Sequence, residues 1–148
     1  MSNYLIVKKK LNSFKKKITV SGDKSISIRW VLFSSLSNGV CNAKNLLISE
    51  DVIAAINAVK KLGIKVLLNK DNCKIFGKGI NGYKYKKNLK IDAQNSGTLG
   101  RLICGIVINT HNKIRIVGDK SLSKRDFKRI ADPLSKFGAK FKLKKNKN

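Results

Sequence analysis

The sequence predicts an α/β chain built from repeated β-α-β-α-β-β units, and three observations lead there. Sliding the chain by 75 positions brings Ser21-Gly22 onto Ser96-Gly97, Leu47 onto Leu122, Asp51 onto Asp126, and Gly63-Ile64-Lys65-Val66 onto Gly138-Ala139-Lys140-Phe141. Each copy passes from a short strand-like run through a Ser-Gly loop into an apolar helix. Each then reaches an amphipathic stretch with a helical stripe that ends at a glycine.

The elements follow in order. In the first unit, residues 17–82, a strand is expected at Lys17–Val20, a helix at Ser27–Ser37 and a second strand at Val40–Leu46. Ser49 then caps a helix with Glu50 and Asp51 in its first turn, where carboxylates suit the positive helix end. Val52, Ile53, Ile56, Val59 and Leu62 form its buried stripe, and Gly63 ends it. A hairpin closes the unit: Lys65–Leu68, a polar turn at Asn69–Asn72, and Cys73–Phe76. Gly77, Gly79 and Gly82 loosen the linker that follows. In the second unit, residues 83–148, the corresponding elements are a strand at Leu89–Ala93, a helix at Leu99–Asn109 and a strand at Lys113–Val117. The last helix carries Phe127, Ile130, Ala131, Leu134 and Phe137 as its stripe, Pro133 inside it and Gly138 at its end. A closing hairpin should begin at Phe141-Lys142-Leu143, but Lys144-Lys145-Asn146-Lys147-Asn148 supplies no return strand. The second unit therefore reads as truncated, with about one and a half to two units present.

Charge is the loudest bulk feature: 33 Lys and Arg against 8 Asp and Glu, a net +25. Of these bases 28 are Lys and 5 are Arg, accompanied by 15 Asn and 17 Ile, all but Arg encoded by A/T-rich codons. Compositional drift explains that pattern better than selection for nucleic acid, whose readers favour the bidentate Arg fork. The 10 aromatics are few for base stacking and mostly at core-like positions. A basic nucleic-acid-binding module stays open as the alternative, although nucleic acid is the disfavoured partner. The longest apolar run, Leu102 to Ile108, is too short for a membrane span and is broken by Gly105. The first residues lack the basic-then-apolar order of an export signal, so a cytoplasmic location is expected. Cys41, Cys73 and Cys104 are widely spaced, and with His111 as the single histidine they make a poor zinc site. Buried or idle thiols are expected, with no metal.

The two Ser-Gly loops are the candidate chemistry. Gly22 and Gly97 would let backbone N–H groups approach a ligand at a helix start, which favours an anion. Lys24 and Ser25 add an ammonium and a hydroxyl, and Arg29 lies one turn beyond Ser25 on the same face. From spacing alone, anion binding and a plain capped helix with solvated bases are evenly matched.

The residue strings add to this. Ser21-Gly22-Asp23-Lys24-Ser25 followed by Arg29 resembles the N-terminal signature of the EPSP synthase family, the 3-phosphoshikimate 1-carboxyvinyltransferases of aromatic amino-acid biosynthesis. Asn45-Leu46-Leu47-Ile48-Ser49-Glu50-Asp51, Asn95-Ser96-Gly97-Thr98 with Arg101-Leu102, and Gly118-Asp119-Lys120-Ser121-Leu122-Ser123-Lys124-Arg125 resemble further segments in the right order. The resemblance implies the inside-out α/β fold of enolpyruvyltransferases, here an incomplete N-terminal domain. Residues 1–16, with a strand near Tyr4–Val7, would join a C-terminal domain that, with a third unit, is absent from the chain.

The resemblance further implies that Lys24, Ser25 and Arg29 hold shikimate 3-phosphate, and that Lys24, Gly97 and Arg125 hold phosphoenolpyruvate. Asn95 and Thr98 are weaker candidates for the second group. The implied reaction moves an enolpyruvyl group to the 5-hydroxyl of shikimate 3-phosphate, with no metal or organic cofactor. None of the eight carboxylates matches the family's catalytic acid or base, so no catalytic residue is assigned and the chain is expected to be inactive alone. Association with the missing half, or self-association through uncovered apolar faces, is expected. UDP-N-acetylglucosamine enolpyruvyltransferase shares the fold but carries Lys-Asn at the segment that is Asp23-Lys24-Ser25 here. The family often has Pro after the arginine matching Arg125, where this chain has Asp126, read as a helix cap. It also varies at Leu102, which leaves inhibitor sensitivity open.

Overall fold

Asp23 starts the first helix. Its extended backbone and short carboxylate let Oδ1 accept the N–H of Ile26 at 2.7 Å, so α1 (Lys24–Ser35) begins three residues before the apolar run suggests. The computed structural model describes residues 5–10, 13, 15–110 and 112–143. Ile28, Val31 and Leu32 turn fully inward from α1. After a tight turn the chain runs out as β1 (Asn38–Ala43). Asn45, at φ 58°, breaks that strand short of the expected Leu46, and Leu46 N–H turns to the carbonyl of Asp71 instead.

Ser49 caps α2 (Glu50–Lys61) through the N–H of Val52, with Glu50 and Asp51 in the first turn and Lys60 and Lys61 in the last, so both ends complement the helix dipole. Val52, Ile56, Val59 and Leu62 are buried and Ile53 partly so, which is the expected stripe. Gly63 leaves the helix at φ 86°, with the carbonyl of Lys84 where a side chain would stand. The hairpin follows as β2 (Lys65–Asn69) and β3 (Asn72–Lys78), and β1 adds to its other side, giving the antiparallel order β1-β3-β2.

The second half holds a parallel pair, β4 (Leu89–Asp92) and β5 (Ile114–Val117), joined through α3 (Gly97–Ile106). Ile91 in register with Ile116 places β4 over the core, where α2 and α3 pack. One apolar cluster runs through both halves, from Ile28 and Val59 to Ile91, Leu99 and Leu122. Two short elements complete the chain: α4 (Lys120–Ser123) and α5 (Lys128–Lys136), which continues across Pro133.

Several expectations need correction. Lys17–Val20 is not a strand: Ile18 and Val20 are exposed, and β1 takes β3 as its partner, so no ladder is offered to this run. A described tie is Asn45 Nδ2 donating to the carbonyl of Val20 at 3.0 Å. Leu5–Val7 is likewise not a strand and is exposed, while Tyr4 lies outside the described residues. α1 and α3 begin two or three residues earlier than expected, because Asp23 and Ser96 cap them, and they also end two or three residues earlier. The stripe of the last helix buries only Ala131 fully, and Phe137 is 85% exposed, because few elements pack on that side. No strand forms at Phe141–Leu143, and Lys144–Asn148 lie outside the described residues.

Candidate functional site

Lys24 opens the first cluster. Its ammonium lies 3.1 Å from Asp51 Oδ2 in the first turn of α2, with the Lys24 side chain just over half exposed. Ser25 is half-buried and Arg29 exposed, four residues apart on α1 and so on one helix face. The backbone around this helix start is closely packed on the Asn45–Leu47 segment. Asp23 already takes the Ile26 N–H, and a Cβ at Gly22 would collide with the Asn45 carbonyl oxygen and stand 2.8 Å from Leu47 N. Gly22 is required by the close approach of the Asn45–Leu47 backbone, which Ser27 Oγ also ties down by accepting Leu47 N–H at 3.1 Å. The side chains gathered on this part of α1 are Lys24, Ser25 and Arg29.

The second cluster forms where β4 turns into α3. Asp92 Oδ1 accepts the N–H of Gln94, which sits at φ 49°, and buried Ser96 caps α3 by accepting the Leu99 N–H at 3.2 Å. Gly97 is buried under two guanidinium groups: a Cβ there would lie 2.5 Å from Arg125 Nη1 and 3.3 Å from Arg101 Nη1. Arg101 follows Gly97 by four residues on α3 and rests over the Phe127 ring at 5.9 Å. Its Nε is buried without a hydrogen-bond partner. Arg125 Nη2 donates to Asn95 Oδ1 at 2.8 Å, and Asn95 Nδ2 donates to Asp119 Oδ2 at 2.7 Å. Asp119 Oδ1 in turn caps α4 by accepting Leu122 N–H at 2.6 Å. That N–H first, and then the Asn95 amide and the Arg125 charge, hold the Asp119 carboxyl below its ordinary value. Thr98 is half-buried in the first turn of α3.

The two clusters meet at the start of α2. On one side Asp51 holds Lys24. On the other, Ile48, Ser49, Glu50 and Ile53 line an open cleft of about 490 Å³ whose opposite wall is Gln94, Asn95 and Asp119. Asn95, Gly97 and Arg125 are thus linked by direct contacts, whereas the described contact of Lys24 is with Asp51, on the α2 side of the cleft. Described contacts do not carry Ser25, Arg29 or Thr98 into that network. Asp126 directs Oδ1 to the Lys128 N–H at 2.8 Å, at the start of α5, while Arg125 faces Asn95.

Two participants were not among the expected site residues, Arg101 and Asp119. A signal for Asp119 was available: Gly22-Asp23-Lys24-Ser25-Ile26-Ser27 recurs as Gly118-Asp119-Lys120-Ser121-Leu122-Ser123, and both aspartates cap a helix through the residue three positions on. For Arg101 the signal was its spacing of four from Gly97, which puts both on one face of α3.

The three cysteines are free. Cys73 and Cys104 are buried, and burial raises both thiols, Cys104 to about 11, so neither is a reactive thiolate. Among the described residues no group of three His, Cys, Asp or Glu could hold a metal ion, and no helix is long and apolar enough to cross a membrane.

Known proteins share this sequence and this fold. The profile of the EPSP synthase (3-phosphoshikimate 1-carboxyvinyltransferase) family matches residues 8–148. A 3-phosphoshikimate 1-carboxyvinyltransferase of Streptococcus agalactiae is 44% identical over 129 residues, 87% of this chain and 30% of its own length. The enzyme of that name from Ruthia magnifica is 41% identical over 139 residues, 94% of this chain and 31% of its own length. Among solved structures, EPSP synthase from Acinetobacter baumannii superposes with a TM-score of 0.78 at 36% identity, over 86% of this chain and 29% of that one. The chain thus spans about 30% of the length of the curated relatives it matches. With the profile covering nearly every residue and the α/β fold shared, the chain belongs to the EPSP synthase family of carboxyvinyltransferases.

Proposed function

We propose that this chain forms the anion-binding wall of a carboxyvinyl transfer site, one that moves the enolpyruvyl group of phosphoenolpyruvate to the 5-hydroxyl of shikimate 3-phosphate and releases phosphate. Lys24, Ser25 and Arg29 hold shikimate 3-phosphate. Lys24, Gly97 and Arg125 hold phosphoenolpyruvate, with Asn95 and Thr98 beside them. The observation that carries this reading is the arrangement around Gly97, where two guanidinium groups converge on the start of a ten-residue helix. Neither arginine forms an ion pair with a carboxylate within 4 Å among the described residues, and the Arg125 charge reaches Asp119 through Asn95.

The division of labour follows from the chemistry. Two crowded anions must be brought together, and fixed cations that need no reorganisation do this best. Asp51 neutralises Lys24 in the free protein, which keeps the ammonium placed, and an arriving phosphate shares it. The acid and base that complete the addition and elimination are not assigned to any carboxylate of this chain.

Calorimetric titration tests the assignment. Shikimate 3-phosphate should bind the chain saturably, and Arg29→Gln or Lys24→Met should weaken it by about tenfold or more, the scale of a hydrogen bond to a charged group. Equal affinity in wild type and both variants would remove these residues from the site.

A further inference from the structure

We propose that Asp119 is a positioning residue, acting through Asn95 to set the orientation of the Arg125 guanidinium at the start of α3. Its relevance to substrate rests on the reading of Arg125 as a phosphoenolpyruvate ligand.

The argument is one of hydrogen-bond polarity. An ionised carboxylate only accepts, a guanidinium only donates, and an Asn amide does one at each end. Asp119 Oδ2 therefore takes the Nδ2 end of Asn95, at 2.7 Å, which leaves Oδ1 as the end that faces Arg125 Nη2 at 2.8 Å. With the amide reversed, two acceptors would face each other on one side and two donors on the other. The carboxylate is itself fixed: its other oxygen caps α4 at 2.6 Å, and its backbone N–H binds the carbonyl of Gln94, the residue before Asn95. The remaining constraint on Arg125 is Gly97, whose missing side chain leaves the space where Nη1 lies.

Capping alone does not account for this use of Asp119. Asp23 caps α1 from the same Gly-Asp-Lys-Ser string, and its described side-chain bond goes only to Ile26 N–H. Asp119 does the same work with one oxygen and commits the second to Asn95. The carboxyl lies below its ordinary value, so it is ionised, and acceptor-only, throughout the neutral range.

The test compares four forms of the chain: wild type, Asp119→Asn, Asp119→Ser, and the exchange Asn95→Asp with Asp119→Asn. The primary readout needs no ligand: rotation of the Arg125 guanidinium about its Nε–Cζ bond, from exchange of its two ¹⁵Nη signals. Asp119→Asn keeps a capping oxygen but turns an amide N–H toward Asn95, and Asp119→Ser keeps a cap but is too short to reach it. Rotation should quicken roughly three- to tenfold in both, the factor expected for loss of one such bond, with the thermal midpoint little changed. The exchange should return it to within about twofold of wild type, since the amide moved to position 119 donates to the carboxylate moved to position 95, and that carboxylate accepts from Arg125. Unchanged rotation in both single variants, or no recovery in the exchange, overturns the proposal. Phosphoenolpyruvate titration of the same proteins should follow the same order. Equal affinity in wild type and Asp119→Asn overturns the proposal. A wild-type chain that takes up no phosphoenolpyruvate overturns the functional reading of Arg125 and leaves the rotation result to decide the positioning.

Discussion

Two glycines that look alike in the sequence do different work. Gly22 is closed in by backbone, the Asn45 carbonyl and Leu47 N, which cannot swing aside. Gly22→Ala should therefore cost about 1–3 kcal/mol of stability through overpacking, read from denaturant midpoints. Gly97 is closed in by the ends of two arginine side chains. Gly97→Ala should leave the midpoint nearly unchanged and displace Arg125, weakening phosphoenolpyruvate several-fold by titration. Lys24 gives the opposite contrast between stability and binding. Its pair with Asp51 is solvent-exposed on the lysine side, and such pairs contribute about 0–1 kcal/mol. Lys24→Met should thus barely alter stability while it reduces affinity for both anions. The pairing with Asp51 was not legible in the sequence, because the residues lie on different helices. Asp119 adds a pH dependence. Its carboxyl is depressed below 3.8, so its contribution is complete above that value and is lost as the pH falls through the lower folded value. The Asn95 side-chain amide signals should hold constant through the neutral range and move only in acid, as the pH falls through the lowered Asp119 value.

At the scale of elements, what the sequence disclosed was what local chemistry decides. Ser49, Glu50 and Asp51, the stripe from Val52 to Leu62, and Gly63 specify α2 without reference to anything distant. The hairpin β2–β3 is similarly local, joined by a short polar turn with Lys70 at φ 52°. Strands that depend on a partner were less legible. Lys17–Val20 has the composition of a strand and remains irregular, because β1 pairs with β3. The short helix α4 was missed because four residues show no periodicity, although its Asp119 cap repeats that of Asp23. The last helix shows a limit of another kind: its stripe is helical in spacing, yet Phe137 is 85% exposed. Phe137→Ser should leave the unfolding midpoint of this chain almost unchanged, whereas Ile56→Ala in α2 should cost about 2–5 kcal/mol. Similar costs at both positions would contradict the loose packing of α5.

Over the whole molecule, the two halves of the chain share one core. One apolar cluster extends from Ile28 in α1 to Leu122 in α4, and α1 packs on α3 across the division. That shared core sets the start of α2 beside the Gln94–Asn95 loop, so the cleft has one wall from each half of the chain. The net +25 surrounds this site with a diffuse positive field, which draws any anion, nucleic acid included, without selecting one. Selection must come from placed groups, and the central claim is that Arg125, held by Asn95 against Gly97, is such a group. Titrating phosphoenolpyruvate into Arg125→Gln and into Lys87→Gln at one ionic strength separates the two effects, since each variant loses one positive charge and Lys87 is an exposed loop residue. The account expects Arg125→Gln to lose about tenfold or more in affinity while Lys87→Gln stays near wild type; equal losses in both would contradict it.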